Sequence, residues 1–147
     1  MKEIAVNKKV FHDYELFDKY EAGLVLLGTE IKSIRRGKVQ LKESFVSFVN
    51  GEAYIKGMNI AQYDFGNRFN HDEFRERKLL LHRQQIDKLA AKVKIQGFTV
   101  VPLRLYLQDG RAKLEIALAR GKSLYDKRED DKVKTMERDA RKAMMRY

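Results

Sequence analysis

The sequence predicts a mainly β fold: a small antiparallel β-barrel with two to three short α-helices and a basic C-terminal tail. Three observations carry this. Apolar and polar residues alternate in several short runs, the period of half-buried strands. Two junctions between such runs carry the pairs that close two-residue hairpins, Asn50-Gly51 and Asp109-Gly110. Beyond Gly121 the alternation stops and charge takes over.

Residues 1–11 read as a short strand or arm, with Ile4, Val6, Val10 and Phe11 around the polar triplet Asn7-Lys8-Lys9. From His12 to Ala22 the residues Tyr14, Phe17 and Tyr20 fall three apart, which predicts a short amphipathic helix ended by Gly23. Asp13 and Glu15 stand in its first turn, where the helix dipole favours them. The stretch Gly23 to Lys38, GLVLLGTEIKSIRRGK, alternates with period two and predicts the organising strand. Its first half would be buried on both faces. Past Gly28 it would keep Ile31 toward the core and present Glu30 and Lys32 on an approachable surface.

Ser44 to Asn50 and Glu52 to Asn59 form the first predicted hairpin. Residues 61–77 mix aromatic, amide and charged side chains without period, the pattern of a long functional or mobile loop. Lys78 to His82 is a brief strand, and Arg83 to Gln96 places Ile86, Leu89, Ala90 and Val93 at helical spacing before Gly97. Phe98 to Leu107 and Arg111 to Ala119 form the second hairpin, where Pro102, the one proline, marks an edge or a bulge. Sequential hairpins favour antiparallel pairing. Closing the sheet buries the alternating faces economically and gives a barrel of the oligonucleotide-binding-fold sort, its ends plugged by helices.

The expected division is a barrel domain over 1–121 and a basic tail over 122–147. From Arg120 to Tyr147 there are ten Lys or Arg against six Asp or Glu. Val133, Met136, Ala140, Met144 and Tyr147 recur at intervals of three and four, a narrow apolar stripe on an otherwise charged helix. Such a helix is marginal alone, so the tail is expected to be disordered until a partner supplies the other half.

The chain of 147 residues suits one domain with a single core. It has no cysteine, which excludes disulfides, thiol nucleophiles and thiolate metal sites. No run approaches the roughly 18 apolar residues of a membrane span, so a soluble, cytoplasmic protein is expected. A net charge of +10 and a pI near 9.7 point to a polyanionic partner, most simply RNA or DNA.

Glu30-Ile31-Lys32 on a strand has the form of the acid-x-lysine end of a metal-dependent nuclease site, which would also need Asp18 or Glu21 to share the ion. The same pair also reads as an exposed ion pair, or as an RNA contact in which Glu30 accepts from hydroxyl groups and Lys32 meets phosphate. His12, His71 and His82 lack zinc spacing, and Ser33, Ser44 and Ser47 lack a nucleophile-elbow context. No phosphate-loop or dinucleotide fingerprint is present. Phe45, Phe48, Tyr54 and Tyr63 would suit base stacking, although aromatics at strand spacing are more often core.

The run Gly23-Leu24-Val25-Leu26-Leu27-Gly28-Thr29-Glu30-Ile31-Lys32-Ser33-Ile34-Arg35 closely resembles the signature of the bacterial SsrA-binding protein (small protein B) family. The resemblance continues through Gly51-Glu52-Ala53, Arg77-Lys78-Leu79-Leu80-Leu81, Gly97 to Leu103, Gly121-Lys122 and Tyr125-Asp126-Lys127-Arg128, and so spans essentially the whole chain. It implies a non-catalytic adaptor of trans-translation. Such a protein binds the tRNA-like domain of transfer-messenger RNA, delivers it to stalled ribosomes and acts as a monomer without metal or cofactor. By position, the resemblance places RNA contacts on Asn7, Glu21, Glu30, Lys32, Leu80 and Lys113. It implies a tail that turns helical on the ribosome, near the decoding centre and in the empty mRNA channel, through Tyr125, Asp126, Lys127, Arg128, Lys134, Arg138 and Lys142. Where some members carry histidine, Tyr125 keeps a planar ring without the imidazole. A general ribosome- or single-strand-RNA-binding barrel and a metal-dependent nuclease are the alternative readings.

Overall fold

Both hairpins form where the turn chemistry places them. In the computed structural model, which describes residues 1–64 and 70–122, strands β4 (Phe45–Val49) and β5 (Glu52–Lys56) meet at Asn50 and Gly51, whose φ angles are 52° and 76°. Strands β8 (Phe98–Gln108) and β9 (Arg111–Gly121) meet at Asp109 and Gly110, with φ of 52° and 77°. Positive φ at both central residues is the turn whose twist matches that of paired strands, and it favours Asn or Asp followed by Gly.

The remaining elements are β1 (Lys2–Val6), α1 (Lys8–Asp13), β2 (Tyr14–Leu24), α2 (Gly28–Arg35), β3 (Val39–Gln40), β6 (Asn59–Ile60), β7 (Arg77–Leu80) and α3 (Arg83–Val93). Pairing runs β8–β4–β5–β7–β2–β9 and returns from β9 to β8, every neighbour antiparallel, so the sheet closes on itself. The closing contact of β4 on β8 is short, at Val46 and Val100. Strand β1 covers the rest of that β8 edge, from Arg104 to Leu107. A closed sheet leaves few unpaired backbone groups, which the expected barrel requires. Among the described residues the fold is mainly β, with three helices.

The interior holds Ile55, Leu79, Val100, Leu105, Leu114 and Ile116, all essentially inaccessible, and Ile34 of α2 and Leu89 of α3 join the same cluster. A second cluster lies on the other face of β8 and β9, where Val101, Leu103, Ala117 and Ala119 pack with Val10 of α1. Around Val101 to Leu103 and Ala117 to Ala119 these two strands are therefore buried on both faces. Removing about three methylene-sized groups from such a site costs about 2–5 kcal/mol, so Leu103→Ala is expected to lower stability by that amount in a urea titration.

Besides α1, which occupies Lys8–Asp13 where the expected strand or arm ran on to residue 11, two elements differ from the sequence expectation. Residues 14–24 are the long strand β2, not a helix. Its register against β9 steps from Leu16↔Ala119 to Lys19↔Ala117, three residues against two, which is a β-bulge. The bulge switches the parity of the strand. Tyr14 and Leu16 pack on the outer cluster, whereas Tyr20 and Ala22 belong to the interior. Aromatic spacing of three is thus a period of two interrupted by one extra residue.

The predicted organising strand is the second correction: only Gly23 and Leu24 belong to a strand, and residues 28–35 form α2. Leu27 N–H donates to Glu30 Oε1 at 2.8 Å, and Glu30 N–H donates back to Leu27 O at 3.0 Å. This reciprocal bonding satisfies donors at the helix start, as a Glu at the third helical position can. Buried Glu30, Ser33 and Ile34 then share the inner face at intervals of three and four. Pro102 sits at a register shift of β8, the bulge expected of it.

The expected helix at 83–96 is α3, and the brief strand near Lys78 is β7, beginning at Arg77. The described part of the 61–77 loop is held from inside. His71 is buried, with its ring Nε2 2.8 Å from Ile60 O and Nδ1 2.8 Å from Thr29 Oγ1, while Asn70 bonds both N–H and O of Tyr63. Strand β9 ends at Gly121, and Lys122 N–H donates to Asp13 O at 2.9 Å. Among the described residues no helix is long and apolar enough to cross a membrane.

Candidate nucleic-acid interface

Strand register assembles the site. Gly23 of β2 stands opposite Leu80 of β7 on one side and Lys113 of β9 on the other, and Lys113 stands opposite Tyr106 of β8. Residues paired across a sheet share a face, so Leu80, Gly23, Lys113 and Tyr106 form one row, with Glu21 two positions along β2 on the same face. Glycine keeps the middle of the row low. A Cβ added at Gly23 would stand 3.3 Å from Leu80 Cβ, tight enough to displace the leucine.

A groove of about 660 Å³ follows this row, bordered by Glu21, Leu80 and Lys113, by Glu52 of the first hairpin, and by Lys78 and Arg83. Its apolar feature is Leu80, 54% exposed, a platform on which a base or sugar could rest. Its charges are of two kinds. Glu52 is satisfied internally: Lys78 Nζ donates to Oε1 and Tyr54 hydroxyl to Oε2, both at 2.8 Å, which holds the Glu52 carboxyl below the usual carboxylate range. Glu21 is less enclosed. It accepts from the Tyr106 hydroxyl on one oxygen, and Lys113 Nζ lies 4.0 Å from the other. Arg83, at the start of α3, reaches Gly51 O at 3.4 Å and Asp87 at 3.3 Å with an otherwise exposed guanidinium.

Of the six residues the sequence singled out for RNA contact, Glu21, Leu80 and Lys113 come together here, and three do not. Glu30 is corrected from an exposed strand residue to a fully buried helical one. Its Oε2 accepts from Arg77 Nε at 2.6 Å and Arg75 Nε at 3.3 Å, and its Oε1 from Arg75 Nη2 at 2.6 Å. Burial pushes this carboxyl up, but the bonds from Arg75, Leu27 N–H and Arg77 together outweigh it and leave the group below its ordinary value. Four donors on a buried carboxylate leave no surface for RNA. The proposed nuclease geometry loses its premise as well, since Glu30 and Lys32 are not strand neighbours facing a shared ion. Among the described residues no three His, Asp or Glu are grouped to hold a metal.

Asn7 is corrected in the same sense. It is buried between β1 and α1, and Nδ2 donates to Pro102 O at 3.1 Å and Leu41 O at 3.3 Å. Its side chain ties two segments of the barrel. Asn7→Ala is expected to lower stability by about 1–3 kcal/mol, with RNA affinity of the folded protein unchanged; loss of affinity without loss of stability would return Asn7 to the interface. Lys32 is exposed on α2, its ammonium 5.4 Å from the Tyr63 ring centroid, and it does not line the groove. Tyr125, Asp126, Lys127, Arg128, Lys134, Arg138 and Lys142 lie outside the described residues.

Sequence reasoning missed Tyr106, Arg75, Arg77 and Arg83. Arg77 and Lys78 lay inside the resembling run Arg77 to Leu81, yet spacing gave no sign that Arg77 points inward and Lys78 outward. Only the alternation of a strand there could have suggested it.

Comparison with known proteins gives one family. The family described as SmpB protein matches residues 4–146. The SsrA-binding protein of Geotalea uraniireducens is 56% identical over 143 residues, covering 97% of this chain and 95% of the relative. That of Nitratiruptor is 56% identical over 149 aligned positions, covering 100% and 99%. That of Bacillus cereus is 56% identical, covering 97% and 92%. A solved structure described as "tmRNA-SmpB: a journey to the center of the bacterial ribosome" contains a chain 45% identical to this one, with a TM-score of 0.69 over 82% of this chain and 85% of that one.

Proposed function

The chain belongs to the SmpB protein family, and we propose that it is an RNA-binding adaptor of trans-translation that binds the tRNA-like domain of transfer-messenger RNA and brings it to stalled ribosomes. The observation that carries the RNA-binding part is the convergence of Glu21, Leu80 and Lys113 from three strands on one groove beside Arg83. A folded RNA with exposed loops is recognised through shape, ribose hydroxyls and stacking, and this groove offers a carboxylate acceptor, an apolar platform and cations for those three tasks. The protein acts in the cytoplasm, as a monomer and without catalysing a reaction. Residues 122–147 form a ribosome-directed tail that becomes helical in the empty mRNA channel, where its basic residues meet ribosomal RNA phosphates.

One gel tests the class of function. Purified protein is incubated with a tRNA-like RNA, with magnesium and with EDTA. A shifted, intact RNA in both lanes is expected; cleavage that needs magnesium would overturn the adaptor reading in favour of a nuclease. For Lys113→Ala, weaker binding is expected, with a log-affinity versus log-salt slope shallower by about one phosphate contact. Unchanged affinity and slope would remove Lys113 from the interface.

A further inference from the structure

We propose that the Tyr106 hydroxyl positions the Glu21 carboxylate as the acceptor for a ribose 2′-hydroxyl, and so sets the groove's preference for RNA over a 2′-deoxy strand of the same sequence. This rests on the groove being the RNA-binding surface. Tyr106 is not itself a surface residue: it is 5% exposed, and its side chain spans from β8 past β9 to reach Glu21 on β2. Its role is to position.

The two carboxylates of the groove differ in one respect. Glu52 has both oxygens occupied, by Lys78 and by Tyr54. Among the described residues Glu21 has only Oε2 occupied, by Tyr106, while Oε1 has Lys113 Nζ at 4.0 Å, close enough to attract and too far to be a hydrogen bond. The Glu21 side chain is 51% exposed. The donor on Oε2 is permanent. Burial first, and then the bond to Glu21, push the Tyr106 phenol well above its ordinary range, so it keeps its proton and donates throughout the physiological pH range.

A bare carboxylate in a groove for a polyanion repels phosphate, and its presence is favourable only where it meets a donor. Among backbone groups of a nucleic acid, the 2′-hydroxyl is the donor that RNA has and DNA lacks. Fixing one carboxylate oxygen with Tyr106 leaves the other aimed in a single direction, which lowers the ordering cost of that contact. Lys113 beside it would meet the phosphate of the same strand, and so adds affinity without telling ribose from deoxyribose.

The test uses the full chain, a tRNA-like RNA stem-loop, and counterparts in which successive segments carry 2′-deoxyribose. Wild type is expected to lose about tenfold in affinity when one particular segment is substituted. In Tyr106→Phe, and in Glu21→Gln, that ratio is expected to fall toward one, with all-ribose binding weakened to the level of the deoxy probe. Lys113→Ala should weaken every probe and keep the ratio. The proposal is overturned if no segment discriminates in wild type, or if Tyr106→Phe keeps the wild-type ratio. Glu21→Gln alters only a half-exposed side chain, so the ratio can be read there even if Tyr106→Phe melts; an undiminished ratio in Glu21→Gln also overturns the proposal. Failure of wild type to bind the all-ribose RNA at all is a different result, since it sinks the RNA-binding reading itself.

Discussion

Glu30→Ala is expected to destabilise the protein by about 3–5 kcal/mol, the range for breaking a buried ion pair from one side. For a chain of this size that corresponds to a fall in melting temperature on the order of 10 °C. The cause is the partner left behind. Arg77 is completely inaccessible, and among the described residues its acceptors besides Glu30 are carbonyls: Met58 O at 2.6 Å, Glu73 O at 3.1 Å and Asp72 O at 3.3 Å. Burial pulls its pKa down, the bond to Glu30 opposes this, and an arginine stays charged in any case. Without Glu30 a full positive charge remains in the interior, the start of α2 loses the acceptor for Leu27 N–H, and the loop carrying Arg75 loses its anchor.

The same group gives the protein an acid-sensitive component of stability. Its folded pKa lies below the ordinary value of 4.5, so the contribution is fully present above that value and is lost as pH falls through the depressed folded pKa. Urea titrations from pH 7 to pH 3 should therefore show wild type losing its advantage over Glu30→Gln at the acid end. A difference between the two that does not change with pH would contradict the assignment. RNA affinity corrected for the folded fraction should stay near wild type in either Glu30 variant, because the residue faces the interior; a selective loss of affinity at full stability would restore Glu30 to the RNA surface.

This pair also shows where the sequence stops being legible. Turn chemistry is local, so Asn50-Gly51 and Asp109-Gly110 announced their hairpins, and the apolar positions of α3 announced a helix. Periodicity is ambiguous when a run is short. Leu27, Ile31 and Ile34 at helical spacing compete with the alternation of Leu24 to Leu27, and the helix wins because the Glu30 carboxylate caps it while meeting Arg75 and Arg77, 45 and 47 residues away. No window along the chain contains that information. The bulge after Leu16 hides β2 in the same way, since it turns a strand's spacing into a helix's. Glu21, Leu80 and Lys113 were singled out through the family resemblance, and their convergence on one groove needed the register of β7, β2 and β9. Tyr106 left no signal of its own, because a tyrosine in a strand is most simply core.

Replacing Asp126, Lys127 and Arg128 by alanine is expected to leave affinity for the tRNA-like domain within about twofold while abolishing tagging of stalled chains, a change as large as the assay can read. The separation follows from position. Strand β9 ends at Gly121, so the triplet lies beyond the strand whose register brings Lys113 beside Glu21 and Leu80. The tail's apolar stripe, Val133, Met136, Ala140 and Met144, is too narrow to fix a helix by itself, and a helix of this length is marginal in water even with better formers. On the proposed reading a ribosomal channel would supply what is missing: a wall for the stripe and phosphates for Lys134, Arg138 and Lys142, with the entropy lost on ordering offset by those contacts. Proline at Ala140 would remove a backbone donor in the middle of the proposed helix, at about 3 kcal/mol or more, and should abolish tagging equally while the barrel and its RNA complex persist. A chain ending at Lys122 should behave as both variants do. Strong, uniform helical NMR signals from residues 122–147 in the free protein, or full tagging by Ala140→Pro, would show that the tail does not need the ribosome to fold or does not need to fold to act.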